Sequence, residues 1–506
     1  MLKLSSGVKK WENRHQTFTE KVKVLYIVAN EKNLGPFESY LDTTKGLQGL
    51  ISEAIQAGKP LRSLGAGWSW TKIATAKDGI MMDTKQLNIS IDFKKDYAVA
   101  GYPGDVKNLL FAQCGCGVWE LSNRLRDKKL SLKTSGASNG QTIVGAMSTG
   151  AHGSTFDVGA VQEYILGMHL ITGPNRHIWL ERKTQPVVST SFIQRLQTEL
   201  VQDDDLFNAA LVSFGSFGII HGVLVEAEDL FLIETNLAKM PYDDTLKKLM
   251  ATLDFSKAKL PGGNERPFHF SVSINPYDIG NGVYVSTYYK RPFRSNYTKP
   301  VPNDSGVGPG DDAPCFLGRL TDKIPRLTPK IVKTLVEGAL KPFEKQYGTL
   351  GEIFSNTTFE GKLMSAAIGL PLDQVGRVTE LLLKINGTKD KGPFTGLFAY
   401  RFIKKSTATL AFTHFDGYTC ILELDGVFSK RTDNFYKAVW EMLDKENIPY
   451  TAHWGKMNSM NKDRIRKCYG QDADSWVAAR NKLLDKDCLK AFTNPLLEEW
   501  GLDKVI

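Results

Sequence analysis

The sequence predicts a mixed α+β or α/β fold rather than an all-β sandwich or a helical bundle. Short apolar or β-branched runs predict strands at residues 80–83, 97–100, 219–225, 398–412 and 420–424. Helical spacing of apolar residues predicts helices at 119–125, 435–443 and 476–484. Glycine-rich turns separate these elements, and Pro and Gly accumulate in a predicted exposed loop at about 300–314. Such alternation is typical of domains that pack helices against sheets.

Length and composition exclude several classes of protein. A chain of 506 residues corresponds to about two to four domains and needs no disulfide or metal to stabilise its core. An apolar content of 42% and a charged content of 24% exclude global disorder. No run of about 18 apolar residues exists, so we expect no membrane-spanning helix. The first residues lack the apolar core of a signal peptide, and we therefore expect a cytoplasmic protein.

Net charge and cysteine content say less about the partners and the cellular compartment of the protein. The net charge of +9 is mild for 506 residues, and the basic clusters are short. This pattern favours ordinary surface charge, or an anionic substrate or cofactor, over a nucleic-acid partner. The six cysteines are sparse, with no Cys-x-x-Cys pair, and no histidine pair has metal spacing. We expect free thiols, a reducing compartment and no metal site.

The common nucleotide and hydrolase motifs are missing. The chain has no phosphate loop of the Gly-x-x-x-x-Gly-Lys type, no Gly-x-Gly-x-x-Gly after a strand, and no His-Glu-x-x-His. Residues 136–140 match the Gly-x-Ser-x-Gly pattern of serine hydrolases. That pattern has meaning only between a strand and a helix, and here small and polar residues flank it. We therefore do not predict a serine hydrolase.

Two glycine-rich stretches, residues 62–70 and 134–154, are the strongest candidates for a binding site. Glycines let the backbone approach a flat or charged ligand, and successive N–H groups in a tight turn form an anion-binding nest. Ser69, Ser148 and Thr149 add hydroxyl donors. Both stretches suit a diphosphate and its attached ring. The alternative is that each is only a tight turn between strands.

Four motifs in chain order resemble the vanillyl-alcohol-oxidase superfamily of flavoproteins, and within it the aldonolactone and alditol oxidases. The first glycine loop is similar to the family's Gly-x-Gly-His-Ser loop. Residues 141–153 give a nearly complete match to Gln-Thr-Ile-x-Gly-Ala-x-Ser-Thr-Gly-x-His-Gly. Residues 211–220 are similar to the last strand of the family's flavin domain, and 453–456 read His-Trp-Gly-Lys. The matches extend from about residue 62 to residue 456.

The resemblance implies an α+β, two-subdomain FAD-binding fold of the PCMH type with a sheet-containing cap domain. We expect the FAD-binding domain at 1–230, the cap at 231–445, and a C-terminal segment at 446–506 that returns to the FAD domain with Lys456. The residues expected to hold FAD are Ser63, Leu64, Gly65, Ala66, Gly67, Trp68, Ser69 and Trp70 in the first loop; Gly136, Ala137, Ser138, Gln141, Thr142, Gly145, Ser148, Thr149, Gly150, His152 and Gly153 in the second stretch; and Gly218, Ile219 and Ile220 in the strand.

The resemblance also implies a reaction: FAD would oxidise a sugar-lactone, polyol or secondary-metabolite hydroxyl, and dioxygen would be reduced to hydrogen peroxide. Lys456 is the first catalytic candidate, because a lysine can stabilise developing negative charge and bind the substrate oxygen. Arg401 is the second. We expect His453 to orient the lysine segment, with a structural role or a proton-accepting role as alternatives. Thr142 is similar to a substrate-side hydroxyl in the alditol oxidases, or it stabilises a turn.

Departures from the family pattern affect the substrate and the cofactor. Ala399 stands where the family has a glutamate two residues before the arginine. The missing carboxylate argues against a simple sugar or polyol as the substrate and leaves room for a larger or less polar alcohol. Glu423, on the following predicted strand, is a candidate to compensate. Trp68 stands where the family has the histidine that links FAD covalently, and Gln141 stands near the place of a second linking cysteine. We therefore expect FAD to be bound without a covalent bond.

Gly136 is relevant to whether dioxygen is the electron acceptor. It aligns at or near a position that borders the path of dioxygen, where sugar-lactone oxidases have Gly and a related plant-type dehydrogenase has Ala. The alternative is that Gly136 serves a turn with positive φ. Two functional alternatives remain: a dehydrogenase that uses another electron acceptor, and a non-catalytic binding protein on a flavin fold. The expected partners are a small alcohol and dioxygen, and the sequence leaves the oligomeric state open.

Overall fold

The computed structural model describes residues 1–261, 263, 265–300, 313–355 and 362–504, except for the side chains of 313–315. These residues form large sheets of four, six and eight strands. The loop expected at 300–314 lies almost wholly outside the described residues. No helix of the described part is long and apolar enough to cross a membrane.

The first sheet carries the first glycine loop. Its strand order is β1-β4-β6-β5, and both contacts of β6 within the sheet are parallel. Helix α1 starts with Pro36, whose fixed φ suits the first helical position. The bounds are β1 (Leu2–Ser5), β2 (Lys10–Glu12), β3 (Thr19–Lys21), β4 (Val24–Ala29), α1 (Pro36–Gln56), β5 (Leu61–Leu64) and β6 (Ile80–Gln86), with β2 and β3 forming a separate hairpin.

The second sheet has six strands in the order β12-β11-β10-β13-β8-β7. Its central strand β13 is buried over almost its whole length, as its β-branched sequence predicts. The bounds are β7 (Ser90–Asp92), β8 (Leu109–Gln113), α2 (Val118–Asp127), β9 (Leu130–Ser131), α3 (Ile143–Ser148), β10 (Ile165–Gly173), β11 (Arg176–Glu181), α4 (Thr190–Leu196), β12 (Glu199–Gln202), α5 (Asp204–Leu211), β13 (Ile219–Glu226) and β14 (Glu228–Asp229), where β14 pairs only with β9.

The third sheet has eight strands in the order β18-β15-β17-β16-β20-β21-β19-β22, and all its pairings are antiparallel. Strand β20 pairs with β21 so that Ala399 lies opposite Glu423. The bounds are β15 (Phe231–Met240), α6 (Asp244–Thr252), β16 (His269–Ile274), β17 (Val283–Pro292), α7 (Ala313–Lys323), α8 (Thr328–Ala339), β18 (Phe343–Gly348), α9 (Leu350–Ile353), β19 (Leu363–Pro371), α10 (Val375–Asn386), β20 (Gly396–Lys404), β21 (Tyr418–Val427), α11 (Lys430–Lys445) and β22 (Thr451–Ala452).

The C-terminal helices return to the FAD-binding half. They are α12 (Lys462–Tyr469), α13 (Gln471–Leu483), α14 (Lys486–Ala491) and α15 (Pro495–Glu499). The buried Trp476 donates its indole N–H to the carbonyl of Val212 at 3.0 Å, and the buried Arg480 donates to the carbonyl of Ser216 at 3.0 Å. These bonds fasten α13 beside the residues that precede β13.

The expected mixture of helices and sheets is confirmed, but two strand predictions are wrong. The strand predicted at 97–100 does not form: Tyr97 ends a 3₁₀ turn and packs in an aromatic cluster, and Ala98 makes an isolated bridge to Val188. Strand β20 ends at Lys404, and a loop buries Ala408, Leu410, Ala411 and Phe412. The domain boundaries stay predictions. Sheet membership changes at Phe231, whereas β22 joins the cap sheet from beyond residue 445.

Candidate active site

A first cavity of about 190 Å³ lies in the FAD-binding half and is lined mainly by the two glycine-rich stretches. Most residues predicted to hold FAD line it: Ser63, Leu64, Gly65, Ala66, Gly67, Trp68, Ser69, Trp70, Gln141, Thr142, Gly145, Ser148, Thr149, Gly218 and Ile220. The sequence did not predict other members of the lining, among them Trp11, Thr84, Cys114 and Phe214. Phe214 lies in the motif at 211–220, whereas no local motif marks the other three, which come from separate elements.

The remaining predicted FAD contacts lie elsewhere. Gly136, Ala137, Ser138 and His152 line a second cavity, described below. Gly150, Gly153 and Ile219 line neither cavity. Gly150 has φ +69° directly after α3, and a Cβ on Gly153 would collide with the carbonyl oxygen of Ser135. Both glycines therefore serve backbone conformation and close packing.

The lining of the first cavity suits a diphosphate and an attached ring system. No acidic side chain lines it among the described residues, whereas Ser69, Ser148 and Thr149 supply hydroxyl groups. Gly67 has φ +73°, which turns the loop through the left-handed region. A Cβ on Gly65 would collide with Thr142 Oγ1, so glycine is needed for the two stretches to approach each other. The donor set and the close backbone approach fit FAD.

Arg62 organises one wall of this cavity instead of offering a free cation to a ligand. Its guanidinium donates to the carbonyls of Ile73 at 2.6 Å, Phe492 at 2.9 Å and Gly215 at 3.1 Å, and also to that of Phe214. The side chain is 1% exposed, and burial lowers the pKa of Arg62 to about 9. Arg62 thus ties the first loop to the 214–215 turn and to the C-terminal helices.

The His-Trp-Gly-Lys turn is fixed directly to the first glycine loop. The backbone N–H of Trp70 donates to the Gly455 carbonyl at 2.7 Å, and the hydroxyl of Thr71 donates to the Trp454 carbonyl at 2.8 Å. His453 Nδ1 accepts the N–H of Gly455 at 3.0 Å. His453 therefore stabilises the turn that carries Lys456, and its orienting role in the reaction stays a prediction.

Lys456, Arg401 and Glu423 form a compact charged cluster. Lys456 Nζ lies 3.0 Å from Glu423 Oε1, and Arg401 Nη2 lies 2.9 Å from Glu423 Oε2. His152 Nε2 lies 3.6 Å from Glu423 Oε1. Asp425 is more distant, with 3.8 Å between its carboxylate and Lys456 Nζ. Two of the predicted catalytic residues thus meet on one carboxylate, which the sequence suggested only as a substitute for the missing glutamate at 399.

Electrostatics keep this cluster charged. Burial alone would raise the pKa of the Glu423 carboxyl, but Arg401 and Lys456 outweigh burial and hold that pKa below its ordinary value. Burial would lower the pKa of Lys456, and the carboxylates of Glu423 and Asp425 outweigh it, so that the pKa is raised. Both groups are therefore ionised around neutral pH.

His152 is neutral and presents an unprotonated nitrogen to the cluster. Burial lowers the pKa of His152 to about 4 despite the nearby carboxylate of Glu423. Its Nδ1 donates to the Gly153 carbonyl at 3.0 Å, which leaves Nε2 without a proton in the neutral ring. A proton received at Nε2 would face Glu423. Sequence reasoning had grouped His152 with the FAD contacts.

The second cavity, of about 560 Å³, is lined by this cluster, by other residues of the eight-stranded sheet and of α8, and by residues 136–139. Seven residues line both cavities: Trp68, Trp70, Gln141, Ala146, Ala151, His453 and Lys456. We call this set the shared wall. A ring bound in the first cavity would meet a substrate in the second across the shared wall, with Lys456 at the junction.

The surroundings of Thr142 and Gly136 differ from those expected for a substrate contact and for a turn with positive φ. Thr142 lines only the first cavity, and its hydroxyl caps α3 by accepting the N–H of Gly145 at 3.3 Å. This favours the turn-stabilising alternative. Gly136 lines the second cavity, and its φ lies outside the left-handed region. A Cβ there would lie 3.4 Å from the Ser138 carbonyl oxygen, an ordinary contact, so the turn does not require glycine.

The described cysteines and acidic groups show no other redox or metal centre. Cys114, Cys116, Cys420, Cys468 and Cys488 are free thiols. Within the described ranges, no group of three or more His, Cys, Asp or Glu side chains could hold a metal ion.

Several known proteins are similar to this chain in sequence or in fold. A family described as an FAD binding domain matches residues 39–180. The chain is 22% identical to an L-gulono-1,4-lactone dehydrogenase of Mycobacterium tuberculosis over 459 residues, covering 89% of this chain and 93% of that protein. It is 26% identical to L-gulonolactone oxidase 3 of Arabidopsis thaliana over 470 residues, covering 84% and 73%. A cholesterol oxidase from B. sterolicum shares the fold, with a TM-score of 0.69 and 12% identity over 99% of this chain and 97% of that one.

The matched FAD binding domain, the shared fold and these relatives support an FAD-dependent oxidoreductase that acts on CH–OH groups. Over most of its length, the chain is similar to an aldonolactone dehydrogenase and an aldonolactone oxidase.

Proposed function

We propose that the protein oxidises an alcohol to a carbonyl compound with FAD and passes the electrons to dioxygen, forming hydrogen peroxide. One observation carries the proposal: Lys456, on the shared wall of the two cavities, is paired with Glu423 and, through it, with Arg401. When bound, FAD supplies the chemistry of accepting two electrons from the carbinol carbon. The resemblance to lactone and alditol oxidases suggests a sugar-lactone, polyol or secondary-metabolite hydroxyl as the substrate.

The residues of the charged cluster bind the substrate oxygen, accept its proton and hold one another in position. Lys456 donates from Nζ to the substrate oxygen and offsets negative charge that develops beside it. His152 Nε2 takes the hydroxyl proton, and the imidazolium that results is stabilised by Glu423, 3.6 Å away. Glu423 also holds Arg401 and Lys456 at fixed positions. It takes the place of the carboxylate that the family has at 399, because Ala399 and Glu423 are register partners.

We propose that FAD is bound without a covalent link. Trp68 has no nucleophilic ring nitrogen for the usual attachment. Cys114 lines the first cavity, but burial raises the pKa of its thiol to about 12, so that it is not a thiolate near neutral pH. Acid precipitation should leave all the flavin in the supernatant. Flavin retained on the pellet contradicts this, and peptide mapping would then compare Cys114 with His15, which stacks on Trp70 at 3.7 Å between ring centroids.

The experiment that tests the main proposal measures the two half-reactions separately. Purified protein is saturated with FAD, mixed anaerobically with a panel of alcohols, and followed by loss of the flavin absorbance. Air or an artificial dye is then admitted. Bleaching by an alcohol, followed by rapid recovery in air with release of hydrogen peroxide, is expected.

Each alternative function gives a different result. Recovery that is slow in air and fast with the dye identifies a dehydrogenase. Protein that stays colourless after addition of FAD supports a non-catalytic binding protein and contradicts the proposal.

Gly136→Ala tests the oxygen path. An alanine methyl meets only ordinary contacts, so the fold, FAD content and anaerobic bleaching rate should be retained. Recovery in air should be slowed, because a methyl group can close a passage barely wider than dioxygen. Loss of FAD or of thermal stability instead would show that Gly136 serves the backbone.

A further inference from the structure

The lining of the second cavity includes both charged and aliphatic side chains. Arg401, Ala399 and Leu397 lie on the same face of β20, and all three line the cavity. The alternating residues Glu423, Asp425 and Val427 of the neighbouring strand β21 line it too. At about 3.3 Å per residue, Leu397 lies about 13 Å along the strand from Arg401. The floor of the cavity therefore carries charge from Arg401 to Asp425, which lies opposite Leu397 in the strand register. Leu397 and Val427 are its aliphatic members.

Helix α8 supplies an apolar wall opposite this floor. Val332, Leu335, Val336 and Ala339 all line the cavity, and their spacing places them on one helical face. Leu340 continues this wall beyond the helix. Val332 and Val336 are 3% and 5% exposed and pack in one cluster with Leu237 of β15, which fixes the helix to the sheet. The aliphatic face is thus held in place over the cavity.

Three polar side chains lie on the strands and the loop around Leu397, and all three line the cavity. Ser365, Asp425 and Thr395 line it, and Ser365 donates a hydrogen bond to Asp425. The buried hydroxyl of Thr395 has no hydrogen-bond partner. A polyol or sugar lactone carries a hydroxyl on nearly every carbon, and most of these would enter an aliphatic environment without a partner. An apolar body with one or two polar groups leaves no such unsatisfied groups.

We propose that the cavity binds an alcohol whose hydroxyl lies at one end of an apolar body about 10 Å or more in length, such as a long-chain or polycyclic alcohol. The hydroxyl lies at Lys456 and His152, and the apolar body extends between β20, β21 and α8. This assignment rests on the proposed function, because it names the substrate class of the same site. It differs from the sugar lactones and polyols that the resemblance suggests.

Anaerobic bleaching of the FAD-loaded protein by two series of probes tests the assignment. The first series is ethanol, hexanol and decanol; the second is xylitol and L-gulono-1,4-lactone. We expect the apparent second-order rate constant to rise about fourfold for each added methylene until the cavity is filled. Xylitol and the lactone should react more slowly than decanol. Faster bleaching by either polar probe than by decanol overturns this inference but leaves alcohol oxidation intact, whereas no bleaching by any probe contradicts the proposed function as well.

A matched pair of variants localises the effect to the α8 face. Leu335 and Ile331 are both half-buried aliphatic residues on α8, but only Leu335 lines the cavity. Leu335→Gln should lower the rate constant for decanol about tenfold and leave that for ethanol unchanged. Ile331→Gln should change neither.

Binding of decan-2-one, a ketone with no carbinol hydrogen, gives a readout independent of the reaction. Its stabilisation of the protein in thermal unfolding should be reduced in Leu335→Gln and retained in Ile331→Gln. Equal behaviour of the two variants in both assays overturns the inference.

Discussion

The two cavities share a wall but differ in the groups that line them. The first is built from backbone, glycines and hydroxyl groups of two continuous stretches, with no acidic side chain among its described lining residues. The second is built from side chains that come from the N-terminal half, the eight-stranded sheet and α8, and it includes the charged side chains of Lys456, Arg401, Glu423 and Asp425. A ligand held by backbone N–H groups tolerates many side-chain changes, whereas a substrate selected by side chains does not. Cofactor affinity and substrate chemistry should therefore respond to different substitutions.

Lys456→Met should have the largest effect. It removes the cation at the shared wall and should slow anaerobic bleaching about 10²–10³-fold, while FAD remains bound. Stopped-flow absorbance measures the bleaching rate, and flavin content is measured on the same sample. Lys404→Met, at an exposed position of β20, is the control and should leave both unchanged. An unchanged bleaching rate in Lys456→Met would remove the lysine from the mechanism.

Stability towards acid should depend on histidines of the FAD-binding half. His221 is fully buried, stacked on Tyr40 and hydrogen-bonded to Gln113 at 3.0 Å, and burial lowers its pKa to about 3. The unfolded chain binds a proton at His221 below pH about 6.5, whereas the folded chain does not. The free energy of unfolding should therefore fall as the pH falls, by about 2 kcal/mol for this residue between pH 6.5 and 5.

Denaturant unfolding at both pH values measures this slope in the wild type and in His221→Gln. The variant should show a smaller loss of stability between the two values, whatever its stability at pH 7. The same slope in both proteins would contradict the assignment. His169 behaves in the same direction, since burial holds its pKa well below the ordinary value.

Gly65→Ala should affect the first cavity alone. The new Cβ would collide with Thr142 Oγ1, which must then give up its cap on α3. We expect FAD affinity to fall about tenfold, the equivalent of roughly 1.4 kcal/mol, with the bleaching rate at saturating FAD retained. Titration of the apoprotein with FAD gives the affinity. Gly49→Ala, in the exposed interior of α1 with no atom within 4 Å of the new methyl group, should leave FAD binding unchanged.

Glu423→Gln should shift the pH dependence of bleaching. Glu423 contributes to raising the pKa of Lys456, so its loss lowers that pKa. The protonated lysine is present below its pKa and lost as the pH rises through it, and the alkaline fall in rate should therefore move about one unit to lower pH. Asp425→Asn, which removes a carboxylate 3.8 Å from Nζ instead of 3.0 Å, should shift it less. A larger shift in Asp425→Asn than in Glu423→Gln would reverse the assigned roles.

The same contrast explains what the sequence predicted. The first cavity follows from residues 63–70 and 141–149, because a backbone site is encoded in continuous segments rich in glycine and hydroxyl residues. The long helices α11 and α13 and the strand β13 follow from their periodicity. The apolar run 408–412 was predicted as strand because burial in a loop and burial in a sheet select the same residues.

The second cavity could be predicted only in part. Lys456 and Arg401 were found through motifs, but their common partner Glu423 depends on the register of β20 with β21, which no local pattern specifies. The role of α8 depends on which face of an amphipathic helix meets the cavity. His152 was assigned to the cofactor because it lies in the glycine-rich block, although its ring points to the opposite side of the shared wall.

A crystal structure of the FAD-loaded protein would test the central claim most directly. The account predicts that the diphosphate lies against residues 64–69 and 141–149, that the flavin ring lies along the shared wall, and that Lys456 Nζ and His152 Nε2 face the same open side of the ring. Flavin density within the second cavity, or a ring out of reach of Lys456, would contradict the division of the molecule into a cofactor cavity and a substrate cavity.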